Sequence, residues 1–304
     1  PSRNRIAALN TTDGTAIAWD PGIWGGTTTT VLDVLSTDDA IYVAGDFNRT
    51  GPIVAGSPTR NFIAAFDPTT GAETAWNPSA SNKVYTMAIS GTAMYIGGSF
   101  GGVNGVARSR IAAIDPITGE PTSCNPDVSA AVGQAIIVND LLIDGTTLYV
   151  AGAFTSINGT SRNRIAAIDT TTCTLTTWNP SANSEVKAID VDASNIYVGG
   201  AFTNIGGSVR NRIAAVSRTT GIATSWNPNA NNAIDTLDLE GGTVYIGGRF
   251  TTIGGILRNR IAALSTAGVL SLWNPNSDAA VNSIDVDGAI IYVGGAFATI
   301  GGAS

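Results

Sequence analysis

The sequence is built from a repeating unit about 50 residues long. Its clearest copies read IYVGGAFTNIGGSVRNRIAAV, from Ile196, and VYIGGRFTTIGGILRNRIAAL, from Val244. The arginine that opens the RNRIAA segment recurs at Arg3, Arg60, Arg108, Arg162, Arg210 and Arg258. A period of this length indicates a stacked or circular array of small units, in which each unit buries its apolar face against the next.

Each unit predicts four extended segments and no helix. In the fourth unit these segments are Val186 to Asp192, Asn195 to Thr203, Arg210 to Val216, and Ile222 to Pro228. Turn sequences such as Asp144-Gly145 separate the first two segments where they recur. The many threonines and glycines favour short strands joined by tight turns over helices.

The third segment is apolar at consecutive positions, as in IAA, which is typical of a strand covered on both faces. Each small sheet is therefore predicted to lie between two neighbours, and the glycine pair of the second segment would relieve crowding or permit a bulge. Four-stranded sheets packed face to face around a ring are the blades of a β-propeller. We therefore predict an all-β, six-bladed β-propeller with four antiparallel strands in each blade.

The first and last residues carry complementary halves of one unit. Residues 281–304 supply the first two segments and residues 3–21 supply the last two. This arrangement predicts a single domain over residues 1–304, closed by a blade with two strands from each end, because an open array would expose strand edges. The alternative is that these residues are a slice of a longer array.

The order of a YVGG strand, a further strand and a tryptophan resembles the kelch repeat of propellers. The pattern YVGGxFTxIGGxxRNRIAALDxxTGxxxxWNP resembles more closely the repeats of bacterial cell-surface propellers of the delta-sixty type. The resemblance covers nearly the whole chain, and it implies extracellular display, adhesion or scaffolding, with few catalytic residues to carry over. The chain departs from its own pattern at Cys124 for tryptophan, Phe62 for arginine and Cys173 for the turn glycine.

Composition excludes several classes of function. The net charge is −7 with only two lysines, so no basic face is available to bind a nucleic acid. The sequence has no histidine, which removes the usual general base and the usual imidazole metal ligand. We therefore expect no cofactor and no metal. No apolar run reaches the 18 or so residues that span a bilayer, so we expect no membrane insertion.

Cys124 and Cys173 are the only cysteines. They are too few and too far apart to indicate a zinc site by themselves. Two interpretations stay open, namely two small core residues or, in an exported chain, a disulfide between adjacent units.

The repeated arginines and aspartates have structural interpretations. Arg162 and Arg164 lie two apart on the predicted third strand, so they should share a face and bind backbone carbonyls or a neighbouring carboxylate. The carboxylates considered are Asp190, Asp238 and Asp285. The pairs Asp190/Asp192 and Asp285/Asp287 precede hairpin turns, where aspartate bonds to the turn backbone. Calcium binding or acid–base chemistry at these pairs is the alternative.

Extra residues are concentrated in three loops, Gly22 to Thr29, Asn48 to Thr59 and Asp127 to Ile137. In an antiparallel blade all three emerge on the same side, and binding residues commonly collect in such loops. Trp24 lies outside the repeat pattern and would offer a stacking surface. These loops, with the variable position after the glycine pair, give the candidate ligand-binding residues: Trp24, Asp46, Arg49, Asp127, Gln134 and Arg249.

The function that these observations predict is a non-catalytic binding, adhesion or display module of an extracellular or cell-surface bacterial protein. Its partner would be an extracellular glycan or protein. The alternative is a propeller-fold, carbohydrate-active hydrolase or lyase that uses carboxylates, since fold alone does not decide between them. The sequence leaves the oligomeric state open.

Overall fold

A computed structural model describes residues 3–10, 12–25, 29–51 and 59–302. Within these ranges the chain forms β-strands and no helix. None of the described segments is therefore a helix long and apolar enough to cross a membrane. The chain divides into two compact units. One comprises Pro1–Ser129 and Ile136–Gly145, and the other comprises Ala130–Ala135 and Thr146–Ser304.

The first unit holds two three-stranded antiparallel sheets, β2–β3–β5 and β6–β7–β10. Its strands are β1 Ile23–Trp24, β2 Thr30–Ser36, β3 Ile41–Asp46, β4 Arg49–Thr50, β5 Ile63–Phe66, β6 Val84–Ser90, β7 Ala93–Gly98, β8 Gly102–Val103, β9 Val106–Ala107, β10 Ile111–Ile114, β11 Val128–Ser129 and β12 Ile137–Asp144. The first strand of each sheet, β2 or β6, pairs with the second, and the second pairs with the third.

The second unit repeats this order of strands. Its strands are β13 Thr147–Ala153, β14 Ser156–Ile157, β15 Thr160–Ser161, β16 Ile165–Asp169, β17 Thr174–Leu175, β18 Val186–Val191, β19 Asn195–Gly200, β20 Asn204–Ile205, β21 Ser208–Val209, β22 Ile213–Ser217, β23 Ile234–Glu240, β24 Thr243–Gly248, β25 Thr252–Ile253, β26 Ile256–Leu257, β27 Ile261–Ser265, β28 Val281–Asp287 and β29 Ile290–Gly295. The sheets β18–β19–β22 and β23–β24–β27 have three strands, and β28–β29 has two.

The predicted fourth strand is largely absent from the described sheets. Only β17 pairs as a strand; four other repeats keep a single bridge, at Phe66–Glu73, Ile114–Pro121, Val216–Ala223 and Leu264–Leu270. The repeated arginine explains why pairing stops, because Arg210 donates to the carbonyl of Thr224 one residue after the bridge. That carbonyl is therefore bound to a side chain instead of continuing the ladder. The prediction of a full strand from Ile222 to Pro228 was wrong.

The third strand begins later than predicted, at Ile213 rather than at Arg210. Arg212 has a φ of 67°, and its equivalents Arg5, Phe62, Arg110, Arg164 and Arg260 have values between 65° and 68°. This left-handed residue donates its N–H to Phe202 O at 2.8 Å and accepts from Gly200 N at 2.9 Å. Arg162 and Arg164 thus precede the strand, and the prediction that they share a strand face was wrong.

A small hairpin follows the second strand of most repeats and was not predicted. In the fourth repeat it is β20–β21, turning at Gly206 and Gly207 with φ of 60° and 75°. The other examples are β8–β9, β14–β15 and β25–β26. Glycine and asparagine occupy these turns because two-residue hairpins of this hand need positive φ at both central positions.

An aromatic pair fills the space beside four of the sheets. Tyr197 packs edge to face on Trp226 with ring centroids 5.1 Å apart, and three further repeats have the same pair: Tyr42–Trp76, Tyr149–Trp178 and Tyr245–Trp273. The Trp226 indole N–H donates to Ser265 O at 3.1 Å, at the end of the next sheet's third strand. One residue therefore packs within its own repeat and bonds to the following repeat, as a face-to-face stack of sheets requires.

Candidate functional site

Two small strands bring Trp24 and Arg49 together in the first unit. The strands β1 and β4 pair antiparallel, with Trp24 opposite Arg49. The indole N–H of Trp24 donates to Gly51 O at 2.7 Å, so the ring is held in one orientation. The Trp24 side chain is half-buried and Arg49 is exposed. The middles of the two loops that supply these strands, residues 26–28 and 52–58, lie outside the described residues.

Asp46 ends β3, three residues before Arg49, and is engaged in an ion pair. Its carboxylate lies 2.8 Å from the Lys83 ammonium group. The hydrogen bond to Asp46 raises the pKa of Lys83. The pair joins the loop side of the first sheet to the residue before β6, so Asp46 contributes to packing between these two sheets as well as to the surface near Arg49.

Arg249, the equivalent of Asp46 in the fifth repeat, also belongs to an ion pair. Its Nε lies 3.0 Å from Asp235, whose carboxylate is 9% exposed and also lies 2.5 Å from Lys187. Two cations thus share one nearly buried carboxylate. The Arg249 side chain itself is 60% exposed, so its outer nitrogens face solvent.

Asp127 and Gln134 lie apart from the residues above. Asp127 is an exposed residue of the first unit. Gln134 belongs to the second unit, where it is exposed and its backbone N–H donates to Ala131 O at 3.1 Å. It lies at the edge of a shallow polar depression with Asn183 and Asn204. Of the six candidates, the structure places Trp24, Arg49 and Asp46 at one end of the first sheet.

The repeated arginines bind backbone carbonyls, as the sequence predicted. Arg108 Nη2 donates to Thr122 O at 2.7 Å and Arg162 Nη2 donates to Thr176 O at 2.6 Å. The second arginine does the same, since Arg164 Nη1 donates to Phe154 O at 2.9 Å. Of the three carboxylates named as alternative partners, Asp190 and Asp238 accept backbone N–H groups instead. A contact of an arginine with Asp285 stays a prediction.

Half-buried carboxylates join the first strands of neighbouring sheets, which sequence reasoning missed. Each accepts a backbone N–H from the next sheet: Asp33 from Met87 at 2.5 Å, Asp190 from Leu239 at 2.7 Å and Asp238 from Val286 at 2.6 Å. Burial raises the pKa of all three carboxyl groups. The hydrogen bonds act in the opposite direction but are outweighed, so the net shift is upward. The acids with raised pKa are therefore committed to holding sheets together.

Asp192 behaves as the sequence predicted for an acid before a hairpin turn. Its carboxylate accepts the N–H groups of Ser194 and Asn195, both at 2.7 Å, and the hydroxyl of Tyr197 at 2.8 Å. Burial opposes ionisation, but these bonds outweigh it and lower the pKa of Asp192. Among the described residues, no cluster of three acidic or cysteine side chains could hold a metal ion.

Neither of the two cysteines is a free thiol. Cys124 belongs to the first unit and Cys173 to the second. Cys173 has a φ of 56°, which is the conformation expected where the other repeats have a turn glycine. The bond between Cys124 and Cys173 stays a prediction.

Comparisons with known proteins bear on the fold. A family model described as a domain of unknown function (DUF5122) with a β-propeller fold matches residues 144–168 and 195–214. The comparison with curated proteins finds no match. The family model and the repeated all-β sheets both indicate a β-propeller.

The chain has a β-propeller fold. The crystal structure of the computationally designed Ika8 protein is similar over 98% of this chain and 89% of that one, with 14% identity and a TM-score of 0.58. BamB from Moraxella catarrhalis is similar over 97% of this chain and 74% of that one, with 19% identity and a TM-score of 0.55. At such identities the likeness shows the fold alone. The delta-sixty and kelch-like assignments stay predictions.

Proposed function

We propose that this propeller is a non-catalytic binding module of an extracellular or cell-surface protein, and that it binds a glycan through Trp24 and Arg49. The observation that carries the proposal is their pairing on β1 and β4. The indole is fixed by its bond to Gly51, so little side-chain entropy remains to be lost when a sugar ring stacks on it. The exposed guanidinium of Arg49 would donate hydrogen bonds to sugar hydroxyl or carboxylate oxygens.

The enzyme alternative requires a carboxylate pair that can reach a substrate. The acids whose pKa is raised, Asp33, Asp190 and Asp238, each accept a backbone N–H from a neighbouring strand. Moving a proton at one of them would disturb the contact between two sheets. This commitment supports binding over hydrolysis or lyase chemistry as the role of the chain.

The proposal includes a ring of six blades in which residues 3–21 and 281–304 complete the last blade. Within the first unit, the bridge Leu9–Ala16 matches the bridge Val216–Ala223 of a complete repeat. Trp19 donates to Asp67 O at 3.0 Å, as Trp226 donates to Ser265. The first unit thus holds the third and fourth segments of a repeat.

The second unit holds the matching first and second segments, in β28–β29. Tyr292 in this hairpin is 50% exposed, whereas its equivalent Tyr197 is fully buried between its sheet and a tryptophan. Pairing of Ile6–Leu9 with β29 would bury Tyr292 and remove the open edge of the hairpin.

A glycan array probed with the purified chain tests the binding function. We expect selective signals that Trp24→Leu abolishes and Trp24→Phe retains in part, because phenylalanine keeps an aromatic face but loses the bond to Gly51. Arg49→Ala should weaken the same signals. Leu272→Ala changes another exposed side chain, 94% exposed in the fifth repeat, and should leave them unchanged. Equal signals for the wild type and a folded Trp24→Leu variant would overturn the assignment.

A further inference from the structure

The first unit contains a cavity of about 730 Å³ at the turn side of its sheets. It lies where the loop between β2 and β3 meets the turn after β10, with Tyr42 and Trp76 in its wall. Since β3 begins at this loop and ends at Asp46, the cavity lies at the opposite end of the first sheet from Trp24 and Arg49. It is therefore separate from the proposed glycan surface.

The corresponding space in the second unit is about half as large. There the cavity beside Trp226 measures about 360 Å³. The turn that forms its far wall is one residue shorter than usual, with five residues between the bridged Leu264 and Leu270. The turn after β10 keeps the common length of six, between Ile114 and Pro121. The longer turn projects Ile117, whose side chain is 85% exposed, over the opening.

The tyrosine of the aromatic pair donates its hydroxyl to different acceptors at the two cavities. Tyr197 donates its hydroxyl to Asp192, within its own hairpin. Tyr42 instead donates to Pro116 O at 2.9 Å, on the longer turn. Trp76 donates to Asp115 O at 3.4 Å, a longer bond than the 3.1 Å of Trp226. Two wall residues of the larger cavity, Tyr42 and Trp76, are thus both bonded to the turn that carries Ile117.

Two carboxylates lie at the cavity. Asp39 is exposed on the loop after β2. Asp115 accepts the N–H groups of Ile117 and Thr118 at 2.7 and 2.8 Å, which lower its pKa and keep it ionised. Both charges raise the pKa of the Tyr42 phenol, after burial as the larger cause, so both act on the same corner of the cavity. The lining residues include no lysine or arginine.

The rest of the lining is apolar or hydroxylic. Ile89 and Ile117 supply aliphatic surface, Ala40 and Ala75 supply small side chains, and threonines supply hydroxyls. A cavity with an apolar wall and uncompensated negative charge complements a ligand that carries a positive charge on an apolar stem. An anion would be repelled, and a metal ion would find too few oxygen ligands beside an apolar wall.

We propose that this cavity binds an organic cation, a primary ammonium or guanidinium group on an alkyl chain. The alkyl chain lies against Ile89 and Ile117, and the cationic group lies between Asp39 and Asp115. The same chemistry is offered by a free alkylamine and by the lysine side chain of a peptide, and the experiment separates these two sources.

Isothermal titration with hexylammonium, hexanol and hexanoate tests the proposal. Hexylammonium should bind most tightly and lose affinity in high salt, because ion pairs at a partly exposed site are screened. Asp39→Asn should weaken hexylammonium binding about fivefold, as for one ion pair at a partly exposed site. Asp38→Asn is the matched control, since Asp38 is an exposed neighbour outside the lining, and it should leave the affinity unchanged.

Nα-acetyl-lysine methylamide, titrated in parallel, identifies the source of the cation. Tighter binding of this compound than of hexylammonium assigns the cavity to a lysine side chain, and the reverse order assigns it to a free amine. Equal binding of hexylammonium, hexanol and hexanoate would overturn the proposal, because charge would then play no part. Equal affinity in wild type and Asp39→Asn would overturn it as well. Trp24→Leu should not change these titrations, so failure of the glycan proposal leaves this one standing.

Discussion

The carboxylate of Asp190 accepts the backbone N–H of Leu239 at 2.7 Å, so a side chain of one sheet satisfies the main chain of the next. The first strand of a sheet has no strand partner on its open side, and its N–H groups need another acceptor. Asp33 and Asp238 make the same contact with their following sheets. This bond between neighbouring repeats explains an aspartate that no local turn requires.

We predict that Asp190→Ala destabilises the protein by about 1 to 3 kcal/mol, because the half-buried Leu239 N–H loses its hydrogen bond to a charged acceptor. Asp190→Asn keeps an acceptor oxygen and should be much milder. Denaturant unfolding followed by circular dichroism gives both values. Equal losses for the two variants would show that the hydrogen bond to Leu239 is not what stabilises the contact.

The difference in stability between the wild type and Asp190→Asn should depend on pH. Burial, aided by the charge of Asp238, raises the pKa of Asp190, so the folded protein holds this proton more tightly than the unfolded chain does. Wild-type stability relative to Asp190→Asn should therefore be highest below the ordinary aspartate pKa of about 4. It should fall as the pH rises through the folded-state pKa, and then stay level. Melting curves of both proteins across the acid range measure this difference in stability. A difference that rises with pH would contradict the prediction.

The second glycine of each glycine pair is predicted to be irreplaceable. A Cβ built on Gly98 would lie 2.1 Å from Lys83 O, a backbone atom at the register shift between Val84 and Thr86. Gly98→Ala should therefore destabilise the protein by about 2 to 3 kcal/mol. Gly101→Ala is the control, because its nearest neighbour is an arginine side chain 3.8 Å away. Thermal melting of both variants measures the loss of stability. An unchanged melting temperature for Gly98→Ala would contradict the close approach of position 98 to Lys83 O.

We predict that Cys124 and Cys173 form a disulfide, since neither is a free thiol. Alkylation of the unreduced, denatured protein should add no mass, and alkylation after reduction should add two labels. Two labels without reductant would disprove the bond. Loss of the bond in Cys124→Ser/Cys173→Ser should lower stability by about 2 to 5 kcal/mol.

The sequence predicted those parts of the fold that recur in every repeat. The glycine pair marks the bulge, because the backbone of the preceding strand leaves no room there for a side chain. Prediction from the sequence failed where a side chain competes with strand pairing for the same backbone group. Arg210 withdraws the Thr224 carbonyl from a fourth strand, and Arg212 adopts a left-handed φ that a side chain of this size rarely has.

The candidate site was less predictable than the fold. The variable residues Asp46 and Arg249 looked like ligand contacts, but both make ion pairs with residues distant in sequence. Trp24 was singled out because this aromatic residue is not part of the repeated pattern, whereas its pairing with Arg49 depends on a contact between two loops. The cavity beside Tyr42 is formed by a turn of the usual six-residue length and by side chains of two sheets. No sequence pattern predicts such a cavity.

Closure of the ring by the two ends of the chain is the central claim, because the proposed ring of six blades depends on it. The pairing Tyr197–Ala215 in the fourth repeat predicts that Tyr292 lies opposite Ala8. We expect Ala8→Cys/Tyr292→Cys to form an intramolecular disulfide on mild oxidation, identified by peptide mapping. The out-of-register control Ala7→Cys/Tyr292→Cys should not form one. Free thiols at positions 8 and 292, or links only between molecules, would contradict closure.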